Sequence, residues 1–188
     1  DGCVIARSQE AKDLGIKMGE VYFMKKDFMD KHNFYVYSSN YNLYGDMSDR
    51  VMTVIKSITS DVEIYSIDEC FVDFSEVSDN ELVNHLHHIR NEVKRQLGIP
   101  VSIGVGPNKT LAKLSSKIAK TQKEYNGVAS YWSINNFNEL TDKIGLDDVW
   151  GIGRQWSKRL KNIGIDSIRK FKGLDDKTVR KLLNINGL

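Results

Sequence analysis

The chain has 188 residues, enough for a substantial core and for one domain with a smaller companion. It is 40% hydrophobic and 28% charged with two prolines, which excludes extended disorder, and no apolar run is long enough to span a bilayer. The net charge of +2 hides an asymmetry, since residues 151–188 hold ten Lys/Arg against three Asp/Glu while the first 150 hold seventeen against twenty-two, balances of +7 and −5. A basic end region suits a polyanionic partner, and the acidic remainder suits cations. Cys3 and Cys70 give neither a disulfide framework nor a metal-ligand spacing, so a reducing cytoplasm is the expected compartment, with no membrane partner. The opening Asp1-Gly2-Cys3-Val4 has neither an initiating Met nor a secretion-signal pattern.

In chain order, residues 1–38 are irregular and partly helical. A helix is predicted from about Ser39 to Thr59, where Tyr41, Tyr44, Met47, Val51, Ile55 and Ile58 recur at helical intervals. Two β-prone runs follow, Ile64-Tyr65-Ser66-Ile67 and Cys70-Phe71-Val72-Asp73-Phe74, joined by a bare Asp68-Glu69 corner. Ser78 and Glu81 have capping-box spacing ahead of the stripe Leu82, Leu86, Ile89, Val93 and Leu97, and Gly98 and Pro100 end that helix. Val101, Ile103 and Val105 alternate as a short strand. Gly106-Pro107-Asn108 then turns into a helix reaching about Gln122, and Val128 to Trp132 reads as a further strand. From Asp147 onward short helical pieces are separated by Gly151-Ile152-Gly153, Gly164 and Gly173, with a soft boundary between about Trp132 and Asp147. The order resembles a split βαβ sheet whose first strand is displaced by residues 1–38. Either the sheet begins differently or that strand lies upstream of Asp1, and the absent Met favours the second.

Three segments carry chemistry. Adjacent carboxylates repel unless a cation neutralises them, so Asp68-Glu69 on a rigid corner suits a divalent ion with oxygen ligands, magnesium above all. The alternative is a solvated acidic turn. Lys109, Lys113, Lys117, Lys120 and Lys123 share one side of their helix, opposite Leu111, Leu114 and Ile118, with no acidic residue between them. Such a stripe suits phosphates, although a solvated helix face is the bland reading. Val149-Trp150-Gly151-Ile152-Gly153 and the following Arg154 and Lys158 have the pattern of a helix-hairpin-helix, which binds DNA by phosphate contact; packing alone is the alternative for the glycines. Combined, the three describe metal-assisted nucleotidyl transfer onto DNA. A non-catalytic DNA-binding module and a palm-fold nucleotide cyclase remain as alternatives. Trp132, Trp150 and Trp156 are expected to pack, and Asp73 to support the corner.

Tyr65-Ser66-Ile67-Asp68-Glu69, the run from Ser102 to Leu114, and Val149-Trp150-Gly151-Ile152-Gly153 resemble Y-family DNA polymerases in sequence and order. The opening to Arg7, Glu10-Ala11-Lys12, Gly15 to Gly19 and Ser38 to Tyr44 are similar to the UmuC-type (ImpB/MucB/SamB) branch. The resemblance implies an α+β fold, with a ferredoxin-like palm lacking its first strand at 40–127, partial fingers at 1–39, a partial helix-hairpin-helix thumb at 128–188 and no little finger. It implies an error-prone translesion polymerase of DNA repair and the SOS response, joining a dNTP to the primer 3′-hydroxyl with two magnesium ions. By position, Asp68 and Glu69 match two of three metal-holding carboxylates. Lys120, Lys113, Lys12 and Arg7 match or replace triphosphate contacts, and Gly151, Gly153, Arg154 and Lys158 match the duplex grip. Primer-template DNA, a sliding clamp and damage-response proteins are the implied partners.

The family's third carboxylate and sugar-selecting aromatic belong to the strand not found here, and Gln9 stands where another branch has a fingers tyrosine. The 188-residue polypeptide alone is therefore expected not to polymerise, for want of metal ligands.

Overall fold

The computed structural model describes residues 2–183. The chain divides within one helix into two compact units, one up to Met47 and one from Ser48 onward.

In the first unit, Cys3 and Val21 form an antiparallel bridge, reinforced by Val4 N–H to Glu20 O at 2.8 Å and Gly19 N–H to Val4 O at 2.8 Å. Between them runs α1, Gln9–Asp13, whose first turn is capped by the Ser8 hydroxyl accepting from Ala11 N–H. Next is α2, Tyr22–Lys31. Ile16 and Met29 are buried, whereas Phe23, Met24, Tyr35 and Tyr37 stand almost fully exposed. The helix α3, Tyr41–Ile58, crosses into the second unit.

There the helical segments fold as their spacing predicts, but the first strand ends at Ile64, and Tyr65-Ser66-Ile67, expected to belong to it, lies in the turn because its amides at 65 and 66 bond to Glu69 O. The strands β1, Val62–Ile64, and β2, Cys70–Val72, pair antiparallel with Ile64 opposite Cys70. The long helix α4, Asp79–Leu97, buries Leu82, Leu86, Ile89 and Val93 and ends at Gly98 in the left-handed conformation, φ 72°. The Ser78 hydroxyl donates to the Glu81 carboxylate at 2.7 Å and caps no backbone amide, so the two side chains pair with each other and the capping box is not formed. Next come β3, Ile103–Val105; α5, Lys109–Thr121, capped by Asn108; and β4, Val128–Ser130, which pairs parallel with β3. Short helices complete the unit: α6, Phe137–Asp142; α7, Arg154–Asn162; α8, Ile168–Lys172; and α9, Asp176–Leu183.

The sheet takes the form of two two-stranded pieces, and no strand among the described residues joins them. One apolar layer nevertheless runs beneath both. Val54 and Ile55 of α3 and Ile89 and Val93 of α4 pack on Val62, Cys70 and Val72, and also on Ile103. Leu82 and Leu86 continue the layer to Val105 and Val128.

Helix α5 is the hub. A Cβ on Gly104 would lie 1.9 Å from the Ser116 backbone nitrogen, and one on Gly106 would lie 2.7 Å from that of Ala112. Glycine at these positions lets β3 abut the helix backbone directly. On its other flank, Leu111 and Leu114 join Leu146, Val149, Ile152, Leu160, Ile165 and Ile168 in the core of the helical region. None of the helices among the described residues is long and apolar enough to cross a membrane.

Candidate active site

The corner between β1 and β2 is closed by its own backbone. Tyr65 N–H and Ser66 N–H both donate to Glu69 O, at 3.1 and 3.0 Å, which leaves Ile67 and Asp68 at the tip. Both carboxylates are exposed. The Asp68 carboxylate accepts the Ser66 hydroxyl at 2.7 Å, and Glu69 Oε2 lies 3.1 Å from Lys113 Nζ. The donor set is all oxygen, the chemistry that suits magnesium, but no group of three or more His, Cys, Asp or Glu gathers among the described residues. The pair fits part of a metal shell. Asp73 turns away to the next bend, where Ser75 hydroxyl and amide hydrogen bonds hold its carboxyl below the usual range.

The lysine stripe differs from its expectation. Three of its five members are paired across the fold: Lys109 with Glu63, Lys113 with Glu69, and Lys117 with Asp148 at 2.7 Å. The stripe looks unpaired in sequence because its partners lie 46, 44 and 31 residues away. Lys120 is exposed and has no ion-pair partner among the described residues. Lys113 therefore faces the acidic corner, whereas Lys120 makes no such pair among the described residues.

The Gly151 hairpin has the features its sequence suggests. Gly151 takes the left-handed conformation, φ 89°, which favours glycine, and Ile152 is buried in the helical core and pins the turn. Gly153 differs: its φ is an ordinary −79°, and a Cβ there would meet nothing within 4 Å. Folding does not require glycine at 153. It caps α7 without a side-chain acceptor, so the first-turn amides face solvent, where a phosphate suits them. Arg154 and Lys158, one turn apart, are exposed and unpaired among the described residues; Arg169 and Lys170 are paired with Asp142 and Asp166.

Tyr65, Phe71 and Trp150 form an aromatic group that sequence reasoning did not connect. Trp150 Nε1–H donates to the Tyr65 hydroxyl at 2.9 Å, and the rings meet edge to face at 5.5 Å. Their 85-residue separation leaves no local signal. Trp156 packs as expected on the helical core, but Trp132 is 62% exposed, contrary to its expected packing role.

Arg7 and Lys12 lie in the first unit. Lys12 is exposed on α1. Arg7 is half-buried and donates to Ile16 O at 3.3 Å, while its buried Nε finds no partner. Gln9 donates to Asp13 at 2.8 Å.

Comparison with known proteins adds the wider context. The chain is 41% identical over 187 residues to the protein UmuC of Salmonella typhimurium, covering 98% of this chain and 44% of that protein. It is 31% identical over 183 residues to DNA polymerase IV of Picrophilus torridus, covering 97% and 51%. The chain thus spans about half the length of these relatives. Among solved structures it resembles a DinB-family error-prone DNA polymerase from Sulfolobus solfataricus, with a TM-score of 0.70, 26% identity, and coverage of 95% and 54%. The impB/mucB/samB family profile matches residues 1–117, and the chain belongs to that family.

Proposed function

We propose that this chain is the catalytic-core portion of an error-prone translesion DNA polymerase. The observation that carries the reading is the 3.1 Å contact between Glu69 of the acidic corner and Lys113 of α5. It brings two of the segments singled out by their chemistry to one place. In this reading residues 1–39 belong to the fingers, 40–127 to the palm and 128–188 to the thumb. The pairing of β4, Val128–Ser130, with β3 supports carrying the palm on through Ser130, so that the thumb begins after it.

Asp68 and Glu69 would hold magnesium, which when bound supplies charge neutralisation at the triphosphate and activation of the primer 3′-hydroxyl. Lys113 balances Glu69 electrostatically and would shift towards phosphate oxygens when a triphosphate binds. Lys120 offers an unpaired ammonium to the triphosphate, and Lys12 and Arg7 are the corresponding contacts from the fingers. Gly153, Arg154 and Lys158 grip the duplex backbone without reading bases. Primer-template DNA and a dNTP are the substrates, and a sliding clamp and damage-response proteins are the partners this reading expects.

Primer extension with magnesium tests the proposal. The assay uses the chain extended to the length of its relatives, and Asp68→Ala is expected to abolish extension. Extension that survives Asp68→Ala contradicts the metal role. Extension by the 188-residue chain alone contradicts the expected shortage of ligands.

A further inference from the structure

Trp150 sits between buried Val149 and the Gly151 turn, yet its own side chain is outside the hydrophobic core and 37% exposed. Its ring instead meets Tyr65, the first residue of the corner's turn, at 5.5 Å and Phe71, in β2, at 5.6 Å. Tyr65 is held twice, since its hydroxyl accepts from Trp150 while its amide donates to Glu69 O. The Lys113 ammonium lies 4.9 Å from the Tyr65 ring centre and 5.7 Å from that of Trp150, while pairing with Glu69. One cation thus touches the first and last residues of the acidic corner's turn and the residue that opens the hairpin.

We propose that Trp150 is a positioning residue, which with Tyr65, Phe71 and Lys113 clasps the Gly151 hairpin to the acidic corner and sets the distance between them. The functional part of this inference rests on the polymerase reading; the clasp itself does not. Edge-to-face rings, a charge over both faces and a shared hydrogen bond restrict rotation about the contact more than burial of the same area would. A duplex held at the hairpin would then meet the corner in one register.

Two measurements on the full chain separate the clasp from the DNA reading. In a Cys3→Ser, Cys70→Ala background, nitroxides at Ile67→Cys and Gln155→Cys report the corner-to-hairpin distance by pulsed electron resonance. A single narrow distribution is expected, broadened by Trp150→Ala and largely restored by Trp150→Phe, which keeps the ring. An equally narrow distribution in Trp150→Ala overturns the clasp. The second measurement is duplex DNA affinity against salt, on variants shown by circular dichroism to be folded. Trp150→Ala is expected to weaken binding about three- to tenfold with an unchanged salt slope, because it removes no phosphate contact, and Trp150→Phe to restore it. Lys158→Gln should instead reduce the slope by about one. Wild-type affinity in Trp150→Ala overturns the positioning role. Failure of the wild-type chain to bind DNA overturns the polymerase reading, and the distance distribution then decides the clasp alone.

Discussion

Strand β3 and the β1–β2 hairpin both meet helix α5, but they are held by different physics. β3 touches the helix backbone to backbone through Gly104 and Gly106, where any added atom collides with main chain. The hairpin meets α5 through exposed lysine–carboxylate pairs and cation–ring contacts, Lys109 over Phe71 and Lys113 over Tyr65. Close packing is rigid and unforgiving, whereas exposed ion pairs contribute little stability and exchange partners readily. The acidic corner therefore meets α5 on its adjustable side, while the Tyr65, Phe71 and Trp150 rings hold it to the Gly151 hairpin. That division would suit the proposed site, whose counter-charges would change on binding a metal or a triphosphate.

Several substitutions would sharpen or break this contrast. The largest effect is expected at the rigid contact. Gly104→Ala places a Cβ 1.9 Å from Ser116 N and should cost about 4 kcal/mol or prevent folding, read from urea unfolding. A mild cost there would mean that β3 and α5 can separate. Leu114→Ala, at a position only 3% exposed, should cost about 3 kcal/mol by leaving a cavity between α5 and the helical core. On the adjustable side, Lys109→Gln and Lys113→Gln should each shift stability by less than about 1 kcal/mol. A loss comparable to that of Leu114→Ala would erase the distinction. The smallest effect concerns α4, away from both contacts. Hydrogen bonds from Arg95 and then Gln96 lower the Glu92 carboxyl from 4.5 to about 2. A depressed folded value stabilises above pH 4.5 and is lost as pH falls towards 2, so Glu92→Gln should flatten the acid limb of the stability curve between those values.

Much of this architecture was legible in the sequence, but its assembly was not. The apolar periods of α3, α4 and α5 gave their limits to within a few residues, since a helix buries one stripe whatever it packs against. The two β-prone runs flanking Asp68-Glu69 located the hairpin, although the first of them runs on into the turn. The division of the sheet into two pairs is a tertiary outcome that no local pattern carries. Lys113 reads as unpaired because Glu69 is 44 residues away, and Trp150 packs as expected but on a partner, Tyr65, that a separation of 85 residues hides from the sequence. Gly104 and Gly106 looked like ordinary strand and turn residues, and only the helix lying across them explains their lack of a side chain.

Manganese broadening of the amide resonances of the isotope-labelled chain tests the magnesium role of the corner most directly, because it needs neither catalysis nor tight binding. Added Mn2+ should broaden Asp68, Glu69 and their neighbours first, shift the Lys113 side chain away from Glu69, and lose its focus in Asp68→Asn. Broadening centred elsewhere, or unchanged by Asp68→Asn, would contradict a metal site at Asp68-Glu69.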